Sequence, residues 1–306
     1  MSEKDSRGDR MIRFAVFTDF HYDFIHDGDE RLKELISRLK QEEIQFAVSL
    51  GDLCRPFSEN RKIMEQLREC GIPMVFVIGN HDIEMSEQRE VIEFLGIEND
   101  YYSFVKEDVK FIILNACYEK RDGICRSHFR DEFDREKDIY PVIPDEQIAW
   151  LRDEMQDEHL RYVIFSHHSL VNNFRDRGIV NRKEIRKIIE TGNVLLCMNG
   201  HDHGDECWEI NGIPYFTLNS ASYIWHGMRE IYSYAPEVHE RCPWLKYILM
   251  YKEPLYAVIT IDEERLSVKG MESSYQTITP REAGIGNKWN GIRLAPRISD
   301  YMGGKR

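Results

Sequence analysis

The sequence predicts an α/β fold on three observations. Short apolar runs rich in β-branched and aromatic residues recur at positions 13–18, 46–50, 74–78, 162–166 and 194–198. Runs of this length and composition read as buried strands. Segments with apolar residues at helical spacing lie between them. Finally, all five runs end on side chains able to ligate a metal, and α/β folds gather their ligands beyond the carboxyl ends of strands.

The elements follow in order. After the first run, residues 29–40 place Leu32, Leu35, Ile36 and Leu39 on one helical face, with Asp27 or Asp29 as a cap. A second helix over 59–70 turns Ile63, Met64 and Leu67 inward and stops at Gly71. A third starts near Ser86, buries Val91, Phe94 and Leu95, and stops at Gly96. Residues 101–105 and 109–114 read as paired strands across a polar turn. Residues 145–156 form a helix with Pro144 near its first turn. A helix over 181–190 has Asn181 as cap and Glu184 three residues on, the pattern of a capping box, and ends at Gly192. Asn211-Gly212 between two apolar runs predicts a tight hairpin. Residues 255–261 and 265–271 make another hairpin over Asp262-Glu263-Glu264.

The strand ends carry seven candidate ligands: Asp19, His21, Asp52, Asn80, His167, His201 and His203. Asp, Asn and His together suit borderline divalent ions, Mn²⁺, Fe, Co²⁺ or Zn²⁺, rather than Ca²⁺ or a thiolate site. Seven ligands exceed the needs of one tetrahedral ion. They suit two ions about 3.5–4 Å apart that share a carboxylate. Asp52 is the natural bridge, because Gly51 before it lets the backbone come close. Two such ions can clamp a phosphoryl group and generate hydroxide near neutral pH, which is the chemistry of phosphate ester or anhydride hydrolysis.

The blocks Asp19-Phe20-His21, Gly51-Asp52, Gly79-Asn80-His81-Asp82, Ser166-His167-His168 and Gly200-His201-Asp202-His203 resemble, in this order, those of the calcineurin-like metallophosphoesterases. The similarity spans roughly residues 12–220. It implies a four-layer α/β/β/α sandwich of two facing mixed sheets. It also implies one metal on Asp19, His21, Asp52 and His203, and a second on Asp52, Asn80, His167 and His201. By the same resemblance a metal-bridging hydroxide attacks phosphorus, and Asn80 and the metals stabilise the phosphoryl oxygens. His81 contacts the phosphate or protonates the leaving oxygen, and Asp82 orients His81 by accepting from its other ring nitrogen. The chain departs from the family at Ser169, where many members have Pro, and only a local change of the loop is expected. Leu114-Asn115-Ala116 and the stretch from Ile143 to Leu151 are similar to a bacterial subgroup and to Mn²⁺-dependent ADP-ribose/CDP-alcohol diphosphatases. A charged insert over 117–141 and an aromatic cap over 222–254 suggest a closed pocket for a small ligand, and the expected substrate is a small phosphodiester or a nucleotide diphosphate compound. A phosphomonoesterase, or a non-catalytic scaffold of the same fold, is the alternative.

Composition bounds the rest. A net charge of −13 argues against a long nucleic acid as partner, since that needs a basic surface. It also means that metals and nearby Arg or Lys must reverse the field for an anionic substrate. Seven Cys with no C-x-x-C pattern read as reduced thiols. The charged start of the chain has no signal-peptide core, and no apolar stretch approaches a membrane span, so a cytoplasmic protein is expected. A single domain is expected over 11–271, followed by a basic tail over 272–306. Two segments interrupt the domain. The charged insert 117–141 holds Arg121, Arg126 and Arg130, and Arg126 is a candidate for the substrate phosphate. Arg175 and Arg177, after His167, are comparable candidates. The aromatic segment 222–254 reads as a helical cap, and its Tyr223 is a candidate substrate contact, as part of either the packing or a stacking platform.

Overall fold

The computed structural model describes residues 11–127, 140–172, 177–289 and 291–304. Two six-stranded mixed sheets face each other. The first sheet is built around β1 (Ile12–Phe17), β2 (Phe46–Ser49) and β3 (Met74–Phe76), which run parallel. The second has β4 (Tyr102–Lys106) antiparallel to β5 (Val109–Leu114) at its edge. A small hairpin of β6 (Tyr118–Arg121) and β7 (Ile124–Ser127) stands apart. The second sheet continues in parallel through β8 (Arg161–Ser166) and β9 (Asn193–Asn199). It closes on β10 (Glu206–Ile210) and β11 (Ile213–Thr217), in the order β10-β11-β9-β8-β5-β4. The turn between β10 and β11 has positive φ at both Asn211 (50°) and Gly212 (72°), as a tight primed turn requires.

The ribbon of β12 (Tyr223–Trp225) and β13 (Ile248–Met250) lies over one end of the sandwich. The first sheet is completed by the antiparallel strands β14 (Ala257–Ile261) and β15 (Arg265–Gly270). Two short strands, β16 (Lys288–Trp289) and β17 (Ile292–Arg293), pair beyond it. Strand β18 (Tyr301–Gly304) adds to the sheet edge, giving β18-β15-β14-β1-β2-β3.

Alternation along the strands makes the layers. On β1, Ile12, Phe14 and Val16 point between the sheets, against Phe111, Phe165 and Phe216 of the other sheet. The rings of Phe14 and Phe46 stack at 4.9 Å, and Phe111 meets Phe14 edge-on at 5.4 Å. The alternate residues Ala15 and Phe17 face outward onto α1 (Gly28–Leu39), α2 (Arg61–Glu69) and, past the one-turn α3 (Asn80–Ile83), α4 (Gln88–Leu95). On the opposite side Ile112, Leu114 and Ile164 pack under α5 (Asp145–Glu154) and α6 (Arg182–Ile189). This is the α/β/β/α sandwich expected from the sequence. Burial of both faces of each sheet explains why the parallel strands read as continuous apolar runs.

Three local expectations differ. Asn181 precedes α6 but caps nothing with its side chain. Its amide is taken by the Ile143 backbone, accepting at 3.1 Å and donating at 2.8 Å. Asp27 likewise spends its carboxylate on Arg31, 3.2 Å away, rather than on the start of α1. The 222–254 segment is only partly helical. The β12/β13 ribbon flanks the short α7 (Pro236–Arg241) and a 3₁₀ turn over Pro243–Tyr247. Among the described residues no helix is long and apolar enough to cross a membrane.

Candidate dinuclear metal centre

The parallel strands β1, β2, β8 and β9 end together, and the loops beyond them hold the candidate ligands. The backbone there is forced. Asp19, His21, Asp52, His201 and His203 all have φ between 47° and 69°, a left-handed conformation that non-glycine residues seldom adopt. Such strain persists only where the surroundings impose it, and it gathers at functional sites. The loops also touch: Asp19 N donates to Gly51 O (3.0 Å), and His21 N donates to Asp52 O (2.9 Å).

All seven expected ligand residues come together and are buried, each at most 7% exposed. Asp52 Oδ2 sits 3.2 Å from His167 Nε2 and 3.8 Å from His21 Nε2. On one side of it, Asp19 Oδ1 lies 3.2 Å from His203 Nε2 and 3.8 Å from His21 Nε2, and the two Nε2 atoms are 3.1 Å apart. On the other side, His167 Nε2 lies 3.3 Å from His201 Nδ1. His167 Nδ1 donates to Leu50 O (2.8 Å) and His203 Nδ1 donates to Tyr223 O (3.2 Å). A carbonyl only accepts, so both rings keep a proton on Nδ1 and turn Nε2 to the site, where it is the atom that would ligate a cation once deprotonated.

The donor set fits two cations. Asp19 Oδ1 and Asn80 Oδ1 are buried without a hydrogen-bond partner, although such atoms are normally satisfied. Burial, only partly offset by Asp52, keeps His21 well below the usual imidazole range. Burial and then Arg177 do the same to His201, so both rings are neutral. Burial raises Asp52, but the facing His167, His81 and His21 outweigh it and hold the carboxylate ionised. Burial pulls His167 down, but Asp52, Asp19 and the Leu50 carbonyl together raise it to about 9, so in the absence of a metal its Nε2 proton rests against Asp52 Oδ2 and a cation takes that proton's place. The cluster thus draws positive charge to the Asp52 carboxylate. One contact must change for a cation to bind at His201 Nδ1. Arg177 Nε donates to His201 Nε2 (3.0 Å), which leaves the ring proton on Nδ1.

Two glycines let the loops close. A β-carbon on Gly51, whose φ is +100°, would lie 2.7 Å from His167 Nδ1. One on Gly79 would lie 2.1 Å from Asp52 Oδ1 and 2.3 Å from Asp52 N. Gly79→Ala is therefore expected to push Asp52 out of place. The expected cost is about 1–3 kcal/mol of stability and about 10–100-fold in metal affinity. Thermal melting and a metal titration would measure both.

His81 and Asp82 do not form the pair that the motif suggests. The His81 ring is held by Glu84, with Nδ1 2.7 Å from Oε2. Asp82 faces away from it and accepts backbone N–H groups of Asp52 (2.9 Å), Leu53 (2.8 Å), Cys54 (3.2 Å) and Gly79 (2.8 Å). The reason is the one-turn helix α3. It places residues three apart on one face, His81 over Glu84, while Asp82 turns into the base of the loop. The expectation that Asp82 orients His81 is corrected accordingly.

A cavity of about 510 Å³ opens above the cluster. His21, Asn80, His81, His201 and His203 line its floor, and Arg55 and Arg177 also line it. Arg55 is anchored by Asp23 (2.5 Å), and its guanidinium lies 4.6 Å over the Phe24 ring. Motif spacing pointed to neither Arg55 nor Glu84; Glu84 could have been found from its i,i+3 relation to His81. Tyr223 lines the cavity with its ring against His203 (4.7 Å) and His21 (5.1 Å). Arg126 does not: it is exposed on β7 opposite Glu119, so its candidacy as a phosphate contact is dropped. Arg121 pairs with Glu119 on the same hairpin. Arg130 and Arg175 lie outside the described residues. Ser169 shapes its loop by accepting from Val171 N (3.2 Å) and Asn172 N (2.9 Å).

Comparison with known proteins agrees with this geometry. The family model described as calcineurin-like phosphoesterase matches residues 12–205. Among solved structures, a dimetal phosphatase from Danio rerio superposes with a TM-score of 0.62 at 17% identity, over 88% of this chain and 99% of that one. GAP50, described as the anchor in the inner membrane complex of Plasmodium, superposes with a TM-score of 0.54 at 13% identity, over 85% and 84%. At these identities the likeness is one of fold. No curated protein sequence matches the chain.

Proposed function

Because the chain belongs to the calcineurin-like phosphoesterases, a family of metal-dependent hydrolases, we propose that it cleaves a small phosphodiester or nucleotide-diphosphate-type compound at the Asp52 cluster. The observation that carries this reading is Asp52 Oδ2 standing between two sets of buried donors, of which His21, Asn80, His201 and His203 line a cavity far larger than a phosphate group. Asp19, His21, Asp52 and His203 would hold one divalent ion, and Asp52, Asn80, His167 and His201 the other. When bound, the two ions supply Lewis-acid charge and lower the pKa of water, which gives phosphoryl hydrolysis its nucleophile at neutral pH.

The chain's own groups do the rest. His81 hands a proton to the leaving oxygen, and Glu84 on Nδ1 keeps the ring aimed and stabilises its charged form. The Asn80 side chain borders the phosphoryl oxygens. Arg177, once released from His201 Nε2, and Arg55 supply the cationic wall that draws an anionic substrate to a chain of net charge −13.

The test is turnover after chelation and reconstitution with Mn²⁺, Co²⁺ or Zn²⁺ on a panel holding a diester, a monoester, a cyclic nucleotide, ADP-ribose and a CDP-alcohol. Metal-dependent turnover of the diester or the diphosphates, at least about 10-fold above the monoester, is expected. Monoester preference would move the assignment to a phosphatase. Protein that binds no metal and turns over nothing would sink the proposal.

A further inference from the structure

The cavity has a second wall that the hydrolytic chemistry does not use. Met85, Trp225, Trp244 and Ile248 line it beside the ligand floor. Residue alternation builds this wall. On β12, Tyr223 and Trp225 point to one face and Ile224 to the other, and on β13 Ile248 lies directly across from Trp225. Ile224 and Leu249, both 0% exposed, enter the core between the sheets. The opposite face of the same ribbon carries Tyr223, Trp225 and Ile248 to the cavity. Trp225 is braced by Trp244 and Tyr247, each with its ring centroid 6.3 Å away at 56° and 66°. Trp244 remains 36% exposed. Trp225 packs on the buried cluster of Tyr223, Leu245 and Ile248 while lining the cavity, and Trp244 lines it beside Trp225, so the two indoles present a braced apolar surface to the open volume, as ligand pockets do.

We propose that the Trp225/Trp244 wall is a stacking subsite for a planar group, a nucleobase or aryl ring, carried on the side of phosphorus that stays behind when the leaving group departs. This rests on the hydrolytic reading above and narrows it to substrates with a ring on one side of the cleaved bond. Every nucleobase offers a π-face, so the subsite selects planarity rather than base identity.

The experiment compares thymidine 5′-(4-nitrophenyl) phosphate with methyl 4-nitrophenyl phosphate, which release the same leaving group. The wild type and Trp225→Ala, Trp244→Ala and Trp225→Phe are reconstituted with Mn²⁺. Each alanine variant is expected to lower kcat/KM for the thymidine compound about 10-fold to 100-fold, the size of one base–aromatic stack. The methyl compound should change less than about 3-fold on the same scale. Trp225→Phe should restore most of the loss. Trp244 is about a third exposed and lies outside the ribbon, so its variant tests the idea even where Trp225→Ala disturbs the ribbon. Equal losses on both substrates, or none on either, overturn the subsite while leaving the hydrolase intact. Should neither compound turn over, calorimetry of thymidine 5′-phosphate against ribose 5-phosphate still decides: tighter binding of the nucleotide, abolished in Trp244→Ala, supports the subsite, and equal binding overturns it.

Discussion

Asp52→Asn is expected to abolish turnover, lowering kcat/KM by about 10³-fold or more, with only a modest change in thermal midpoint. Oδ2 of this residue faces both histidine sets, at 3.2 Å from His167 and 3.8 Å from His21. An amide in its place loses the negative charge that two adjacent cations would share. With its oxygen kept on the His81 N–H, it turns an N–H₂ toward both sets in place of Oδ2. Oδ1 has a separate duty: it accepts the His81 backbone N–H at 2.8 Å, which an Asn oxygen can still do. The substitution thus separates the charge from the scaffold. Metal content by elemental analysis and steady-state kinetics on a diester measure it. An Asn variant that keeps two equivalents of metal and near-full turnover would remove Asp52 from the centre of the mechanism.

The parts of this protein that were legible in the sequence are those where one physical constraint dominates. Phe14 and Phe17 sit in a run buried on both faces, and such a run spells out a strand. Asn211-Gly212 could hardly be anything but a primed turn. The seven donors stand at strand ends because only there do parallel strands bring distant residues together. Competition for side chains was not legible. Asn181 has the spacing of a capping box, yet its amide is taken by Ile143 across a loop, a tertiary partner that no local pattern contains. Arg126 looked like a phosphate ligand by type alone, but the β6/β7 hairpin turns it to solvent beside Glu119. The aromatic wall was visible as composition, whereas its strand geometry was not. Tyr223 and Trp225 sit in a three-residue strand whose partner begins more than twenty residues later.

Asp82 and Glu84 give opposite signatures under substitution, and this separates scaffold from chemistry at the most recognisable motif of the chain. Asp82 is 1% exposed and takes four backbone N–H groups from two loops. Asp82→Ala strands all four in a buried site, so a loss of about 3–5 kcal/mol is expected, visible as a fall in the denaturation midpoint. Activity falls with it, because Asp52 N is one of the four donors and the loop that carries the bridge loses its anchor. Glu84 is partly exposed and, among the described residues, holds the His81 ring and, at 4.0 Å, Arg55. Glu84→Gln should leave the midpoint within about 0.5 kcal/mol of the wild type. It should lower kcat by about 10-fold or more, and more so for substrates with poor leaving groups, which depend most on a proton from His81. Unfolding curves and kcat across a series of aryl diesters measure the two effects side by side. Were Asp82→Ala to keep its stability and lose only kcat, with the same leaving-group dependence, the histidine would be oriented by Asp82 after all. The backbone clamp would then be incidental.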